Sequence, residues 1–321
     1  MKPAFLIDTD TASDDAVALI MALRSTSVRV LAITAVAGNV GVEQAARNAL
    51  YTAELCGSHV PVFVGAAKPL RHAHQSADWF HGTDGLGDHG YPPPRRALEK
   101  RPAVEAILET IAANPGLVLV TLGPLTNIAL ALERHPGIAG KVSRCVMMGG
   151  APCCEGNVTP AAEYNIWCDP EAARMVIRSG LPVELVGWHL CRGHAALNAS
   201  DIEHVLSLDT PLARFAIECN SRAREAYFEQ TGEQGISLPD PVAMSIALDP
   251  SLVTEQTENY VDVETRGELT RGMTVVDRLH VAENDRNREV WAAVLKAATK
   301  TKVVWNIDIA CWKQALFLAL G

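Results

Sequence analysis

The sequence predicts an α/β fold in which a mostly parallel central sheet is flanked by helices, and three observations carry that expectation. Short β-branched or apolar runs alternate along the chain with segments of helical character. The runs are continuously apolar rather than alternating, the pattern of strands covered on both faces by crossover helices. At 321 residues, 48% hydrophobic and 20% charged, the chain can bury a substantial core. No fixed-period repeat, low-complexity tract or linker divides it, so residues 1–321 are expected to form one domain.

The elements follow in order. "AFLID" reads as the first strand and "DDAVALIMALRS" as the helix after it; "VRVLAITAVAG" and "VEQAARNALYTAELCG" repeat the pair, and "VPVFVG" is a third strand. A polar insert rich in Gly, Pro and His, "HAHQSADWFHGTDGLGDHGYPPP", precedes the next helix. A loop of that length inside a compact domain is functional or disordered. "GLVLVTLG", "SRCVMMGG" and "PVELVGW" are further strands. Residues 207–240 read as a helix with its arginines and acids on a solvated face, then a Gly-containing loop. "KVVWNIDIACWKQALFLALG" reads as an apolar helix-like tail that packs on the core or on another subunit.

The net charge of −9 argues against nucleic acid or an anionic membrane surface as partner, since both need a basic patch. Charged residues interrupt "MKPAFLIDTD" before a signal-peptide core forms, and no run approaches the roughly 20 apolar residues of a membrane span. A cytoplasmic protein is expected. The eight cysteines lie without CxxC pairs, which fits reduced thiols better than disulfides or structural zinc.

Ligands of open α/β sheets bind at the carboxyl ends of strands, and "FLIDTDTASDDAVAL" puts Asp8, Asp10, Asp14 and Asp15 directly after the first strand. Such acids repel one another unless protonation, solvent or a cation compensates. Ser13 and Asp14 are expected to cap a helix beginning near Asp15, which accounts for one or two acids and not for the cluster. Oxygen-only donors select a hard cation, calcium or magnesium. One loop cannot supply a full shell; "GPLTN" (123–127) and "LPDPVAM" (238–244), where Asp240 lies between two prolines at an expected helix start, are suitable sources of the rest. The DxDxT pattern of "FLIDTDTA" also fits a magnesium-dependent haloacid-dehalogenase-like phosphohydrolase, although the later strand ends "VMMGGAP", without the acidic pair that chemistry needs.

From residue 5 to about residue 280 the chain resembles the inosine/uridine-preferring nucleoside hydrolase family, the ribonucleoside N-ribohydrolases. "DTDTASDDAVAL", "AVAGNV", "HGTDGLGD", "LGPLTNIALAL", "VMMGGA", "GNVTPAAEYNIWCDPEAA", "PDPVA" and "TRGMTVVD" are similar to that family's motifs and stand in its order. The resemblance implies a Rossmann-like, nucleoside hydrolase-like fold and calcium-dependent hydrolysis of the N-glycosidic bond of ribonucleosides to ribose and free base. Carried over by motif, a calcium ion (Ca2+) would be held by Asp10, Asp15, the main-chain oxygen of Thr126, and Asp240. Asp14, Asn39 and Asn165 would bind the 2′- and 3′-hydroxyls of the ribose, and Asn157 and Glu163 the 5′-hydroxyl. Asp10 would also take the proton of the attacking water, while Asp8 would be structural. The family is commonly dimeric or tetrameric, which implies a homo-oligomer, and serves purine or pyrimidine salvage.

On the base side the pattern departs. Family members place a histidine or a tryptophan immediately before the late aspartate, where this chain has Pro239, and "GWHLCRGHA" differs from the family's GLDVT-like segment. His81 is the candidate leaving-group acid, with His189 and Tyr227 as further candidates; Trp79, Phe80 and Trp188 could stack on a base. Lacking the usual donor before Asp240, the chain also fits a non-catalytic calcium-dependent nucleoside or ribose binder, and its choice between purine and pyrimidine stays open.

Overall fold

The computed structural model describes residues 2–296 and 300–321. Strand β1 (Ala4–Thr9) leads into α1 (Ser13–Arg24), β2 (Arg29–Ala35) into α2 (Val42–Leu55), and β3 (Val62–Val64) into the short α3 (Asp78–His81) and α4 (Ala103–Ala113). The alternation continues through β4 (Leu117–Thr121), α5 (Thr126–Arg134), β5 (Val142–Met148), the short α6 (Tyr164–Cys168), α7 (Pro170–Ile177) and β6 (Val183–Val186). Four helices follow: α8 (Ala199–Ser207), α9 (Pro211–Glu218), α10 (Ser221–Thr231) and α11 (Pro239–Leu248). The chain closes with β7 (Val253–Val263), β8 (Thr274–Val276), the short α12 (Asp285–Arg288) and α13 (Ala292–Leu295), β9 (Lys300–Ile307) and α14 (Ile309–Leu320).

These strands form a nine-stranded sheet in the order β3-β2-β1-β4-β5-β6-β9-β7-β8. Strands β1 to β6 and β9 pair in parallel, and β7 pairs antiparallel with both β9 and β8. Side chains alternate across the sheet, because successive residues of a strand face opposite ways. Phe5, Ile7, Val118 and Val120 enter one core with residues of α1, α2, α11 and α14; Leu6, Leu117 and Leu119 enter the other, with residues of α4, α5 and α7. The strand order reverses between β1 and β4, and at such a switch point the connections leave in opposite directions and open a crevice at the carboxyl ends. That crevice positions the site.

Several expectations are corrected. Only the second half of the C-terminal segment is helical; Lys300–Ile307 is β9, inserted between β6 and β7, with Leu185 paired to Val303. Residues 207–240 do not form one helix. The chain breaks at Cys219 and Asn220, where the Asn220 amide donates to the carbonyls of Ala216 (2.9 Å) and Ser13 (3.3 Å). Nor is α10 solvated throughout, since Ala223, Ala226 and Tyr227 are buried. Helix α1 begins at Ser13, and its N-cap is Ala12 rather than Ser13 or Asp14; the Asp15 carboxylate, in the first turn, reaches back to accept the Ala12 N–H at 2.9 Å. The long insert is fastened rather than loose: Ala77 N–H donates to the Asn39 carbonyl (2.9 Å) and the Tyr164 hydroxyl to that of Gln75 (2.8 Å). All eight cysteines are free, and among the described residues no helix is long and apolar enough to cross a membrane.

Candidate active site

Beneath the crevice lie the acids that follow β1. Asp10 is the first residue after the strand and fully buried. Its Oδ2 accepts the Asn39 N–H from the turn after β2 at 2.6 Å, while its Oδ1 has no hydrogen-bond partner. Two glycines permit this packing: a Cβ on Gly38 would lie 2.0 Å from Asp10 Oδ2, and one on Gly123 would lie 2.5 Å from Oδ1. Asp15 is held on both oxygens, by the Thr9 hydroxyl (2.5 Å) and the Ala12 N–H (2.9 Å). Carboxylate oxygens of Asp14, Asp15 and Asp240 come within 4.8 Å of one another, the last contributed by the first turn of α11. Asp8 is turned away from this group: its Oδ1 accepts the Thr34 hydroxyl (2.5 Å) and the Asn127 amide (2.8 Å), tying β1 to β2 and α5.

Above them is a cavity of about 660 Å³ that opens to solvent, lined on its polar side by Asp14, Asn39, Asn157, Glu163, Asn165 and Asp240. Glu163 caps α6, its oxygens accepting the N–H groups of Asn165 (2.8 Å), Gly150 (2.6 Å) and Ile166 (3.3 Å). The Asn165 amide donates to the Leu122 carbonyl at the end of β4 (2.7 Å), and Asn157 Oδ1 accepts the Tyr164 N–H (2.9 Å). Thr126 is buried at the start of α5 with its hydroxyl donating to Asp169 (2.7 Å), and it does not line the cavity; the residue of this segment that does is Leu122. Asp169, which also caps α7 and accepts the Leu70 N–H, escaped notice in the sequence although its Asp-Pro start is the same signal as at Asp240.

His81, Phe80, Trp79 and Trp188 line the remaining wall together with Pro239 and Gln230. The HGTDGLG turn that presents His81 uses positive φ at Gly82, Gly85 and Gly87 (88°, 73° and 82°), which only glycine adopts without strain. Asn48 joins this turn to the acidic loop, its amide donating to the carbonyls of Thr11 (2.9 Å) and Asp84 (2.8 Å). His81 Nδ1 is hydrogen-bonded to the Ser13 hydroxyl at 2.8 Å and lies 3.9 Å from Asp14. His189 and Tyr227 are not cavity residues. His189 faces the Val304 carbonyl (3.2 Å) beside Trp305, and Tyr227 is buried against Trp188 with its hydroxyl on Glu233. Gln230, which donates to the Asn157 carbonyl, carries no sequence signal that could have found it.

Burial dominates the electrostatics. It raises Asp8 to about 7 and Asp14 to about 8, the latter with help from the charge of Asp15. Asp10 and Asp240 are also pushed well up by burial, reinforced in each case by the neighbouring carboxylates, Asp15 foremost. Loss of hydration drives His81 down to about 3, so its imidazole is neutral at pH 7. Crowded buried carboxylates with unpartnered oxygens on Asp10 and Asp14 form an all-oxygen donor set, which suits a hard divalent cation.

A family model described as inosine-uridine preferring nucleoside hydrolase matches residues 5–309. The chain is 40% identical over 298 residues to the pyrimidine-specific ribonucleoside hydrolase RihA of Salmonella enteritidis PT4, covering 92% of this chain and 94% of the relative. It superposes on a plant nucleoside hydrolase, the PpNRh1 enzyme, with a TM-score of 0.91 at 31% identity, covering 100% and 99% of the two chains. The purine-preferring ribonucleoside hydrolase from Gardnerella vaginalis gives a TM-score of 0.87 at 30% identity, with 99% and 98% covered.

Proposed function

The chain belongs to the inosine-uridine preferring nucleoside hydrolase family, and from that premise we propose that it is a calcium-dependent enzyme cleaving ribonucleosides into ribose and free base. The ribonucleoside hydrolase class follows from its relatives; the ion and the residue roles are our reading. One observation carries it: carboxylate oxygens of the buried Asp14, Asp15 and Asp240 gather within 4.8 Å of one another, with unpartnered oxygens on Asp10 and Asp14, under a cavity lined by Asn39, Asn157, Glu163 and Asn165.

Asp10, Asp15, Asp240 and the main-chain oxygen of Thr126 would hold calcium. When bound, the cation supplies charge compensation and orientation of the ribose diol rather than acidity. Asp10 acts as the base toward the attacking water. Its Oδ2 is fixed by the Asn39 N–H, its Oδ1 is free, and burial keeps it basic. Asp14, Asn39 and Asn165 bind the 2′- and 3′-hydroxyls, and Asn157 and Glu163 the 5′-hydroxyl. Carboxylates beneath the sugar favour the positive charge that develops at C1′ and O4′ as the bond breaks, which fits direct displacement by water better than a covalent glycosyl-enzyme. His81 serves the leaving base. In this reading the neutral ring carries its proton on Nε2, the tautomer in which Nδ1 accepts the Ser13 hydroxyl, and donates it as a hydrogen bond.

The enzyme acts as one domain over residues 1–321, in the cytoplasm, as a homo-oligomer (dimer or tetramer) in nucleoside salvage. A reducing-sugar assay over purine and pyrimidine ribonucleosides, with and without chelator, tests the reading on wild type and Asp10→Asn. Ribose release that chelator abolishes and calcium restores is expected; no release from any ribonucleoside would overturn it.

A further inference from the structure

Ser13 has no task in its own helix. It stands in the first turn of α1, where a serine hydroxyl ordinarily bonds to nearby main-chain groups. Among the described residues, however, the one partner of its Oγ is His81 Nδ1, 68 residues further along the chain, at 2.8 Å. Both side chains are buried, Ser13 at 0% and His81 at 7% exposure. The serine is held from behind, its carbonyl accepting the Asn220 amide (3.3 Å) and lying 3.5 Å from the Cys219 thiol. Asp14 lies 3.9 Å from the same ring nitrogen, beyond hydrogen-bond reach, and does not compete for it. His81 Nε2 differs from Nδ1. It makes no hydrogen bond among the described residues and is not sealed from solvent, so in a ring that lines the cavity it is the nitrogen left open to it.

That geometry decides which group donates. If Nδ1 carried the ring proton, the buried Ser13 hydroxyl would be left without an acceptor, at the cost of an unmade hydrogen bond. Ser13 therefore donates to Nδ1, and a ring that burial keeps neutral carries its single proton on Nε2. We propose that Ser13 is a positioning residue that fixes both the rotation and the tautomer of His81, so that Nε2–H is presented to the leaving base as a hydrogen-bond donor. This rests on the reading of the cavity as a ribonucleoside site. No proton changes hands: as the bond to C1′ breaks, its electron pair passes to the base, the Nε2–H hydrogen bond stabilises the charge, and the ring stays neutral. The device therefore serves bases that leave poorly without such help, and does little for a leaving group already stable as an anion. Because the charge develops only in the transition state, loss of the donor acts on kcat rather than on KM.

The test measures kcat and KM for inosine, uridine and p-nitrophenyl riboside in wild type, Ser13→Ala, Ser13→Thr, His81→Ala and the Ser13→Ala/His81→Ala double variant, with calcium affinity by calorimetry as a control on the neighbouring acids. His81→Ala should lower kcat for both nucleosides by about 10²-fold, and Ser13→Ala by about five- to tenfold. Ser13→Thr, which keeps a hydroxyl, should recover part of that loss. The double variant should be no slower than His81→Ala alone, and each loss should be several-fold smaller for p-nitrophenyl riboside, whose leaving group departs as a stable anion. Losses that multiply in the double variant, that fall on KM at constant kcat, that are as large for p-nitrophenyl riboside, or that come with weakened calcium binding would overturn the proposal. A wild type that releases no ribose would sink the activity and not this inference, which is then read from the ring itself. In protein carrying nitrogen-labelled histidine, with His81→Ala identifying the signals, long-range proton–nitrogen NMR should show the Nε2–H tautomer in wild type and a mixture of tautomers in Ser13→Ala. An Nδ1–H tautomer in wild type, or signals that Ser13→Ala leaves unaltered, refutes it.

Discussion

The acids on the floor of the cavity sit directly after β1 or in the first turn of helices packed on the sheet, whereas the side chains of its roof come from the turn after β6, from the four-residue α3, and from α10. Floor groups are buried and held by short bonds to neighbouring strand ends, as Asp10 is by Asn39 and Asp15 by Thr9. Roof elements meet through contacts that reach solvent, such as Arg222 to Asp88 at 3.2 Å, with side chains 49% and 30% exposed. Under the proposed function, the difference assigns the chemistry to the floor and the selectivity to the roof. A sheet edge fixes a sugar and a charge to within a fraction of an ångström, while loops and short helices can change their side chains without disturbing it. The relatives themselves differ in preference: one is described as pyrimidine-specific and another as purine-preferring.

Breaking the floor should give the largest effects, and they should not depend on the base. Asp10→Asn is expected to lower kcat by about 10³-fold, the scale of a lost general base, by the same factor for uridine and inosine in a ribose-release assay. Gly123→Ala, whose Cβ would press on Asp10 Oδ1 at 2.5 Å, should cost about 10²-fold in kcat through displacement of that carboxylate. Equal losses across bases sharpen the comparison; a change in base ranking by either variant breaks it. On the roof, Phe80→Ala should shift the inosine to uridine ratio of kcat/KM by about tenfold at most and leave calcium affinity, measured by calorimetry, unchanged.

The floor also makes a pH prediction. Burial raises Asp8 to about 7 and Asp14 to about 8, from 3.8 in the unfolded chain. The folded state therefore binds protons more tightly than the unfolded one. The stability these groups contribute is fully present below pH 3.8 and is lost as pH rises through 7 and 8, at up to about 1.4 kcal/mol per group per pH unit. Chelator-treated protein should melt at progressively lower temperature from pH 5 to pH 8, and calcium should restore more of the melting temperature at pH 8 than at pH 5. A flat or rising profile without calcium would contradict the burial of these acids.

The floor was legible in the sequence because its signals are local. A strand is an apolar run, and whatever follows it lands at the carboxyl end of the sheet, so Asp10 and Asn39 could be placed there without knowing the fold's details. The antiparallel edge was not legible. Five consecutive residues of β7 after Val253 are exposed, so it lacks the apolar run that marks a buried strand, and β9 merges in sequence with the helix that follows it. Roof positions depend on tertiary contacts. The break between α9 and α10 has neither glycine nor proline and is set by Asn220 reaching Ser13, more than two hundred residues away. The same dependence explains why Tyr227 and His189, plausible by residue type, turn out to face Glu233 and Val304 instead of the cavity.

The most direct test of the account compares each ribonucleoside with its 2′-deoxy counterpart. If the floor binds the diol independently of the base, the ratio of kcat/KM for uridine over 2′-deoxyuridine should exceed about 10²-fold, the loss expected when a site built to engage a hydroxyl meets a substrate lacking it. It should equal the ratio for inosine over 2′-deoxyinosine. Ratios near one, or ratios that differ strongly between the two bases, would contradict it.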